Sequence, residues 1–190
     1  IFLANPNDTL LFLPFSETEM QKREETEECH LDLLKKYWGK DAEFRNNKFY
    51  THPDVSNETV DISQGIIIAD IIKQCLDAKK NDTQYSDIIV TAPTGAGKSV
   101  FFQIPAIYLH ERETDKPLTI VLSPLIALMK DQVLELQERG IEYATYINST
   151  ISYKERMRRL DGIKDGEYSI VYLSPELLLS SDISTLIGER

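Results

Sequence analysis

The sequence predicts an α/β fold: a parallel sheet flanked by helices, preceded by a small N-terminal appendage. Three observations predict it. From Asp61 onward, short apolar runs alternate with helical periodicities of ten or more residues. A turn carrying Gly95 and Gly97 joins one apolar run directly to an apolar helix. The first 60 residues differ in character, with 12 acidic and 7 basic side chains that supply half of the chain's net charge of −10. Successive strands separated by helices need crossover connections, and crossovers produce parallel strands.

Composition narrows the class. A chain of 190 residues, 42% apolar and 27% charged, can bury a core of its own. Gly 8, Pro 8 and Cys 2 exclude collagen-like, mucin-like and disulfide-scaffold proteins. Cys29 and Cys75, 46 positions apart, build neither a zinc cluster nor a staple, so two reduced thiols in a cytosolic protein are expected. The longest apolar runs, Leu10–Phe15 and Gly65–Ala69, fall short of the roughly 20 residues that span a bilayer. A soluble, cytoplasmic protein with no membrane partner is the expectation. The sequence opens on Ile1 rather than Met, which suggests an upstream or processed start. The excess of acid argues against gripping nucleic acid by bulk charge but leaves room for a local basic groove.

Leu10–Leu13 reads as a strand stopped by Pro14, and Glu17–Tyr37 as a helical stretch whose first half, almost wholly polar, reads as a solvated helix or as disordered. Leu31, Leu33, Leu34, Tyr37 and Trp38 give it an apolar face near its end. Residues 39–57 are polar and aromatic by turns, with His52-Pro53-Asp54 as a turn signal. Residues 1–60 are therefore read as an appendage of unknown role, and 61–190 as the main domain. In the latter, Ile66, Ile67, Ile68, Ile71, Ile72 and Leu76 predict a helix over Ser63–Lys79. Then follow strand Asp87–Thr91, helix Gly97–Leu109, strand Leu118–Leu122 and helix Leu125–Arg139, ended by Gly140. Strand Tyr143–Ile147, helix Ser152–Ile163, strand Tyr168–Leu173 and a helix from Pro175 to Ser180 complete the series.

The chemistry sits first in Ala92-Pro93-Thr94-Gly95-Ala96-Gly97-Lys98-Ser99, which fits GxxxxGK[ST] with Ala for the first Gly, in a strand–loop–helix context. Gly95 and Gly97 let the backbone turn its N–H groups inward around a phosphate, together with Thr94 and Ala96. The following helix aims its positive end at the same anion. Lys98 reaches β- and γ-phosphate oxygens, and the Ser99 hydroxyl is placed to hold Mg²⁺. ATP with Mg²⁺ is thus the expected cofactor, and Lys98 and Ser99 are the catalytic candidates.

Further segments refine this. Val100-Phe101-Phe102-Gln103-Ile104-Pro105-Ala106 follows the loop, and Val121-Leu122-Ser123-Pro124-Leu125-Ile126-Ala127-Leu128 closes the next strand. Asn148-Ser149-Thr150 and Ser174-Pro175-Glu176 close the later two. In this order the set resembles the first RecA-like motor domain of RecQ-family DNA helicases of superfamily 2, over about residues 61–180. The resemblance implies a P-loop NTPase fold and an ATP-dependent motor that translocates 3′ to 5′ on single-stranded DNA and unwinds duplex. It assigns Ser123, Pro124, Asn148, Ser149, Ser174 and Pro175 to contacts with the DNA strand. Strand ends are where open α/β sheets bind ligands, and small hydroxyl and amide groups there can hold phosphates without reading bases. Taken singly, Ser123, Ser149 and Ser174 read equally well as helix caps or turns.

Gln64 resembles the family's adenine-reading glutamine, an amide able to donate and accept at once. The family usually has Arg-Pro-Gly before it, where this chain has Asp61-Ile62-Ser63. Lys154, Arg156, Arg158, Arg159 and Lys164 form a basic cluster interleaved with Glu155 and Asp161, which favours a solvated helix face over a DNA patch. His30, His52 and His110 are too scattered for a metal site. The Asp-Glu-x-His tetrad that the resemblance leads one to expect for hydrolysis is absent from the 190 residues, and Glu176 is a poor substitute. The polypeptide is accordingly expected to continue past Arg190, and the 190 residues alone to turn over ATP weakly. Two other readings remain: a superfamily 2 RNA helicase, against which Ser123-Pro124-Leu125 speaks, and a non-catalytic nucleotide-gated interaction module.

Overall fold

The computed structural model of the chain describes residues 30–50, 57–80, 87–92, 95–178 and 183. The chain divides into two compact units, Ile1–Tyr108 and Leu109–Arg190. The expected strand at Leu10–Leu13, the polar half of the first helix, and Thr94 lie outside the described residues.

In the first unit, residues 30–38 are helical (α1), and Leu33 and Leu34 are buried as their spacing implies. An antiparallel pair follows, β1 (Asn46–Tyr50) and β2 (Thr59–Ser63), in the register Asn46↔Ser63 through Tyr50↔Thr59. The sequence pattern does not announce this ribbon, and the expected 60/61 boundary falls inside β2. Its pattern is hard to read because only one face is apolar: Phe49 and Ile62 are buried, while Lys48 and Asp61 stand exposed on the other side. Helix α2 spans Gln64–Lys79, with Ser63 as N-cap, its Oγ accepting from the Gly65 N–H at 3.1 Å. Ile67, Ile68 and Ile72 are sealed beneath α2. Each contributes about 1.5–3 kcal/mol by leaving water.

The expected strand at Asp87–Thr91 is corrected by the structure. Only Ile89 carries a β-bridge, and Ile89 remains 48% exposed. An apolar run specifies strand propensity, but ladder formation needs a partner that propensity does not supply. Helix α3 covers Val100–Arg112 and runs from the first unit into the second. It accommodates Pro105 in its interior at the loss of one helical hydrogen bond.

The second unit is the parallel sheet the sequence predicts. Strands β3 (Thr119–Leu122), β4 (Ala144–Ile147) and β5 (Ile170–Leu173) lie in the order β3-β5-β4, all parallel. Helices α4 (Ile126–Glu138) and α5 (Tyr153–Lys164) make the crossovers, and a short α6 (Pro175–Leu178) follows β5. The central strand β5 is buried along its whole length, as a strand with neighbours on both sides must be. Ile147, Leu160, Ile163, Val171, Leu173 and Ile183 form the core around it. Helix α5 starts on Ser152, whose Oγ accepts from the Glu155 N–H at 3.2 Å. This is the α/β, RecA-like arrangement that the sequence predicts, here with three paired strands.

Candidate functional site

Two constellations carry the candidate residues, one in each unit. The first is the loop before α3. Gly95 and Gly97 have φ of +87° and +72°, in the left-handed region that only glycine enters without strain. The turn tightens immediately into helix, with Val100 N bonding Gly97 O at 3.1 Å and Phe101 N bonding Lys98 O at 3.1 Å. These bonds take up the first N–H groups of α3, so the positive end of the helix lies at the turn before it, at Gly97–Ser99. Lys98 is exposed, and its ammonium donates to the Ala92 carbonyl at 2.9 Å, closing the loop on itself. A phosphate oxygen can take that carbonyl's place, because both accept from the same ammonium. Beside Lys98 lies a hollow of about 540 Å³ lined by Ile71, Cys75, Val90, Phe101 and Phe102. Its walls are mostly apolar, with Gln74, Asp87 and Lys98 as polar members, and burial pushes the Cys75 thiol above its ordinary pKa, away from the reactive thiolate.

The far side of the loop is held by two residues. Gln64 is 3% exposed. Its Nε2 donates to Ala96 O at 2.9 Å and Gly97 O at 3.5 Å, and its Oε1 accepts from Arg45 N at 3.0 Å. Gln64 N in turn donates to Arg45 O at 2.9 Å, and the Arg45 guanidinium reaches Gly95 O at 3.2 Å. The Gln64 amide is engaged by the loop backbone. Sequence reasoning misses Arg45, although the Arg expected ahead of Gln64 is a signal for it. It stands 19 positions upstream of Gln64 instead of three.

The second constellation is the row of strand ends. Register places Leu122, Leu173 and Ile147 side by side. Ser123 N then donates to Leu173 O at 3.1 Å, and Ser174 N to Ile147 O at 3.4 Å. Ser123, Ser174 and Asn148 are thus brought to one edge, as their positions in sequence imply. Their exposure differs. Pro124, Ser149, Thr150 and Pro175 face solvent and Ser123 is half-buried, but Asn148 and Ser174 are 2% and 0% exposed. Asn148 Oδ1 accepts from Thr150 N at 3.0 Å and Thr150 Oγ1 at 2.8 Å, fixing the turn into α5. Ser123 Oγ accepts from Leu125 N at 3.3 Å, a turn bond of the kind expected of such serines.

Two members of the basic cluster on α5, Arg158 and Arg159, share one carboxylate. Glu155 takes Arg158 Nη2 at 2.9 Å and Arg159 Nε at 2.7 Å, and these guanidiniums hold its carboxyl down to about 2. Arg158 also donates to the Tyr168 hydroxyl at 3.2 Å, and its own pKa is raised by these partners, Glu155 first. Glu176 sits exposed at the start of α6. No cluster of His, Cys, Asp or Glu able to hold a metal occurs among the described residues. No described helix is long and apolar enough to cross a membrane.

Comparison with known proteins agrees with this geometry. A RecQ ATP-dependent DNA helicase of Bacillus subtilis is 48% identical over 95 residues, half of this chain and 15% of that protein. Another RecQ ATP-dependent DNA helicase, from Synechocystis, is 39% identical over 103 residues, 54% of this chain and 20% of its own length. A putative ATP-dependent RNA helicase, R290 of Acanthamoeba polyphaga mimivirus, is 46% identical over 90 residues, 47% of this chain and 15% of the relative. The chain thus spans a fifth or less of the length of these relatives. Residues 68–187, well over half of the chain, match the DEAD/DEAH box helicase family. With a glycine-turned loop opening into α3 and a parallel sheet downstream of it, this chain belongs to the DEAD/DEAH box helicase family.

Proposed function

We propose that this chain is the ATP-binding part of a cytoplasmic ATP-dependent DNA helicase, whose whole protein couples ATP hydrolysis to 3′-to-5′ movement along single-stranded DNA and separation of duplex. Residues 61–190 supply the first part of its RecA-like domain. The observation that carries the reading is the loop at Gly95–Ser99, with two glycines at positive φ and a lysine beside a helix N-terminus. Gly95, Ala96, Gly97, Lys98 and Ser99 hold the triphosphate, and Thr94 belongs to the same motif. One serine hydroxyl is too small a donor set to retain an ion alone, which suits Mg²⁺ that arrives bound to ATP and takes Ser99 as a single ligand. The ion would neutralise charge on the phosphates, while Lys98 balances the oxygens facing it. Gln64 lies near the base in this reading.

DNA is the proposed polymer because the relatives named for RecQ are DNA helicases and because the strand ends present Ser123, Pro124, Ser149 and Pro175, with Asn148 and Ser174 beneath them. Such contacts hold phosphates and do not discriminate sequence. The mimivirus relative, named as an RNA helicase, supports a second reading in which the strand is RNA.

The test is Lys98→Ala in the whole protein. Loss of ATP binding together with loss of DNA-stimulated phosphate release supports the motor. Retention of strand separation in that variant refutes it. Competition between DNA and RNA oligonucleotides decides between the two polymers.

A further inference from the structure

We infer that Tyr153 is a stacking platform for one base of a bound DNA strand, set beside the tip of β4 so that single-stranded DNA is favoured there over duplex. The inference rests on the strand ends being a DNA track, and it adds a residue and a selectivity to that reading.

Tyr153 is 77% exposed, the most exposed of the large apolar side chains among the described residues. A lone apolar side chain at a surface needs no partner, so exposure alone assigns nothing. Its position does. Tyr153 is the first residue of α5, directly behind the turn that leaves β4. Ser149 and Thr150, both exposed, lie in that turn, four and three residues before it. Four residues of chain span at most about 14 Å, so Ser149 and Tyr153 can meet nearby nucleotides of one strand.

The platform is held in place before anything binds. Asn148 Oδ1 accepts from Thr150 N and Oγ1 at 3.0 and 2.8 Å, and Ser152 Oγ accepts from Glu155 N at 3.2 Å. The backbone is thus pinned on both sides of Tyr153, and a tyrosine has only two side-chain torsions left to order. The charges around it suit a polyanion. Lys154 is exposed next to it, and the positive end of α5 lies at the same place. The nearest acid, Glu155, is occupied by Arg158 and Arg159 at 2.9 and 2.7 Å.

A tyrosine ring can cover a base while its hydroxyl stays in water. Every base has a π-face, so such a contact tolerates sequence, as the phosphate contacts beside it do. Inside a duplex both faces of each base are covered by its neighbours. The ring therefore finds a free face on a single strand.

The test uses the whole protein and two readouts. In anisotropy titrations Tyr153→Ala should weaken single-stranded DNA about tenfold, while affinity for a long blunt duplex stays within about twofold. Tyr153→Phe keeps the ring and should bind as wild type. Tyr153→Leu, apolar but without a π-face, should fall with the alanine variant. The side chain is exposed, so all three variants should melt with wild type. The second readout is an oligonucleotide carrying 2-aminopurine, whose fluorescence drops on stacking: wild type and Tyr153→Phe should quench it, and the other two should not. Unchanged single-strand affinity in Tyr153→Ala, a leucine variant as tight as wild type, or an equal loss on duplex each overturns the platform and leaves the DNA track standing. A loss confined to RNA oligonucleotides overturns DNA as its partner. Wild-type protein that binds no DNA refutes the track itself, and the platform with it.

Discussion

Arg159 lies over the Tyr146 ring, its guanidinium carbon 4.1 Å from the centroid, while its Nη1 donates to the carbonyl of the same tyrosine at 2.6 Å. One side chain thereby ties α5 to the penultimate residue of β4, just before the strand end that carries Asn148. Arginine suits the position because a planar guanidinium can stack and donate together, which an ammonium cannot. Arg159→Lys should therefore destabilise the chain nearly as much as Arg159→Ala, each by about 1–3 kcal/mol. Urea denaturation of the two variants beside wild type checks it, and full stability in the lysine variant would show the stacking to be incidental.

Two histidines give stability a pH dependence. Burial lowers the pKa of His30, which sits edge-on to Tyr108 at 5.2 Å. Burial lowers that of His110 as well, assisted by the positive charge of Lys116 and opposed by Glu111. His110 stacks on Tyr143 at 3.5 Å and meets Ser169 Oγ at 2.6 Å. A histidine whose folded pKa lies below its unfolded value of about 6.5 stabilises the fold while neutral. That contribution is complete above the unfolded value and is lost as pH falls through the folded one. Stability should thus decline as pH falls below about 6.5, and His110→Asn should flatten the slope. Glu155 acts at a lower range: its carboxyl, held to about 2, loses its contribution only as pH drops below the usual carboxylate range. Denaturation midpoints measured from pH 7.5 down to pH 3 separate the two limbs.

Gly97 has two reasons to resist substitution. Its φ of +72° is costly for any residue with a side chain, and the Gln64 amide occupies the site a Cβ would need. Gly95 has φ of +87°, but a Cβ there would meet nothing within 4 Å. Gly97→Ala should therefore abolish triphosphate binding, whereas Gly95→Ala should weaken it less, carrying only the backbone strain of about 1–2 kcal/mol. Titration with Mg-ATP ranks the two, and equal losses would argue that Gln64 yields freely.

Much of this architecture is legible in the sequence, and the exceptions share a cause. Alternating strands and helices, the Ser63 and Ser152 starts, and the row of strand ends follow from local pattern. So does the loop, because its glycines and lysine are contiguous. The ribbon β1–β2 is hidden because Thr59–Ser63 alternates weakly and its partner lies beyond a turn. Asp87–Thr91 misleads because pairing is a property of two segments and the run describes one. Arg45 is hidden for the same reason: its tie to Gln64 spans 19 positions and exists only after the ribbon closes.

The strand ends divide into supports and surface. Asn148 is buried and braces Thr150, so Asn148→Ala should lower stability by about 1–2 kcal/mol and reduce DNA binding through that loss. Ser149 is exposed, so Ser149→Ala should leave the melting temperature unchanged while weakening single-stranded DNA equally across sequences. Anisotropy titrations on two oligonucleotides of unrelated sequence, run beside thermal melts, distinguish these outcomes. A sequence-dependent effect at Ser149 would contradict backbone recognition.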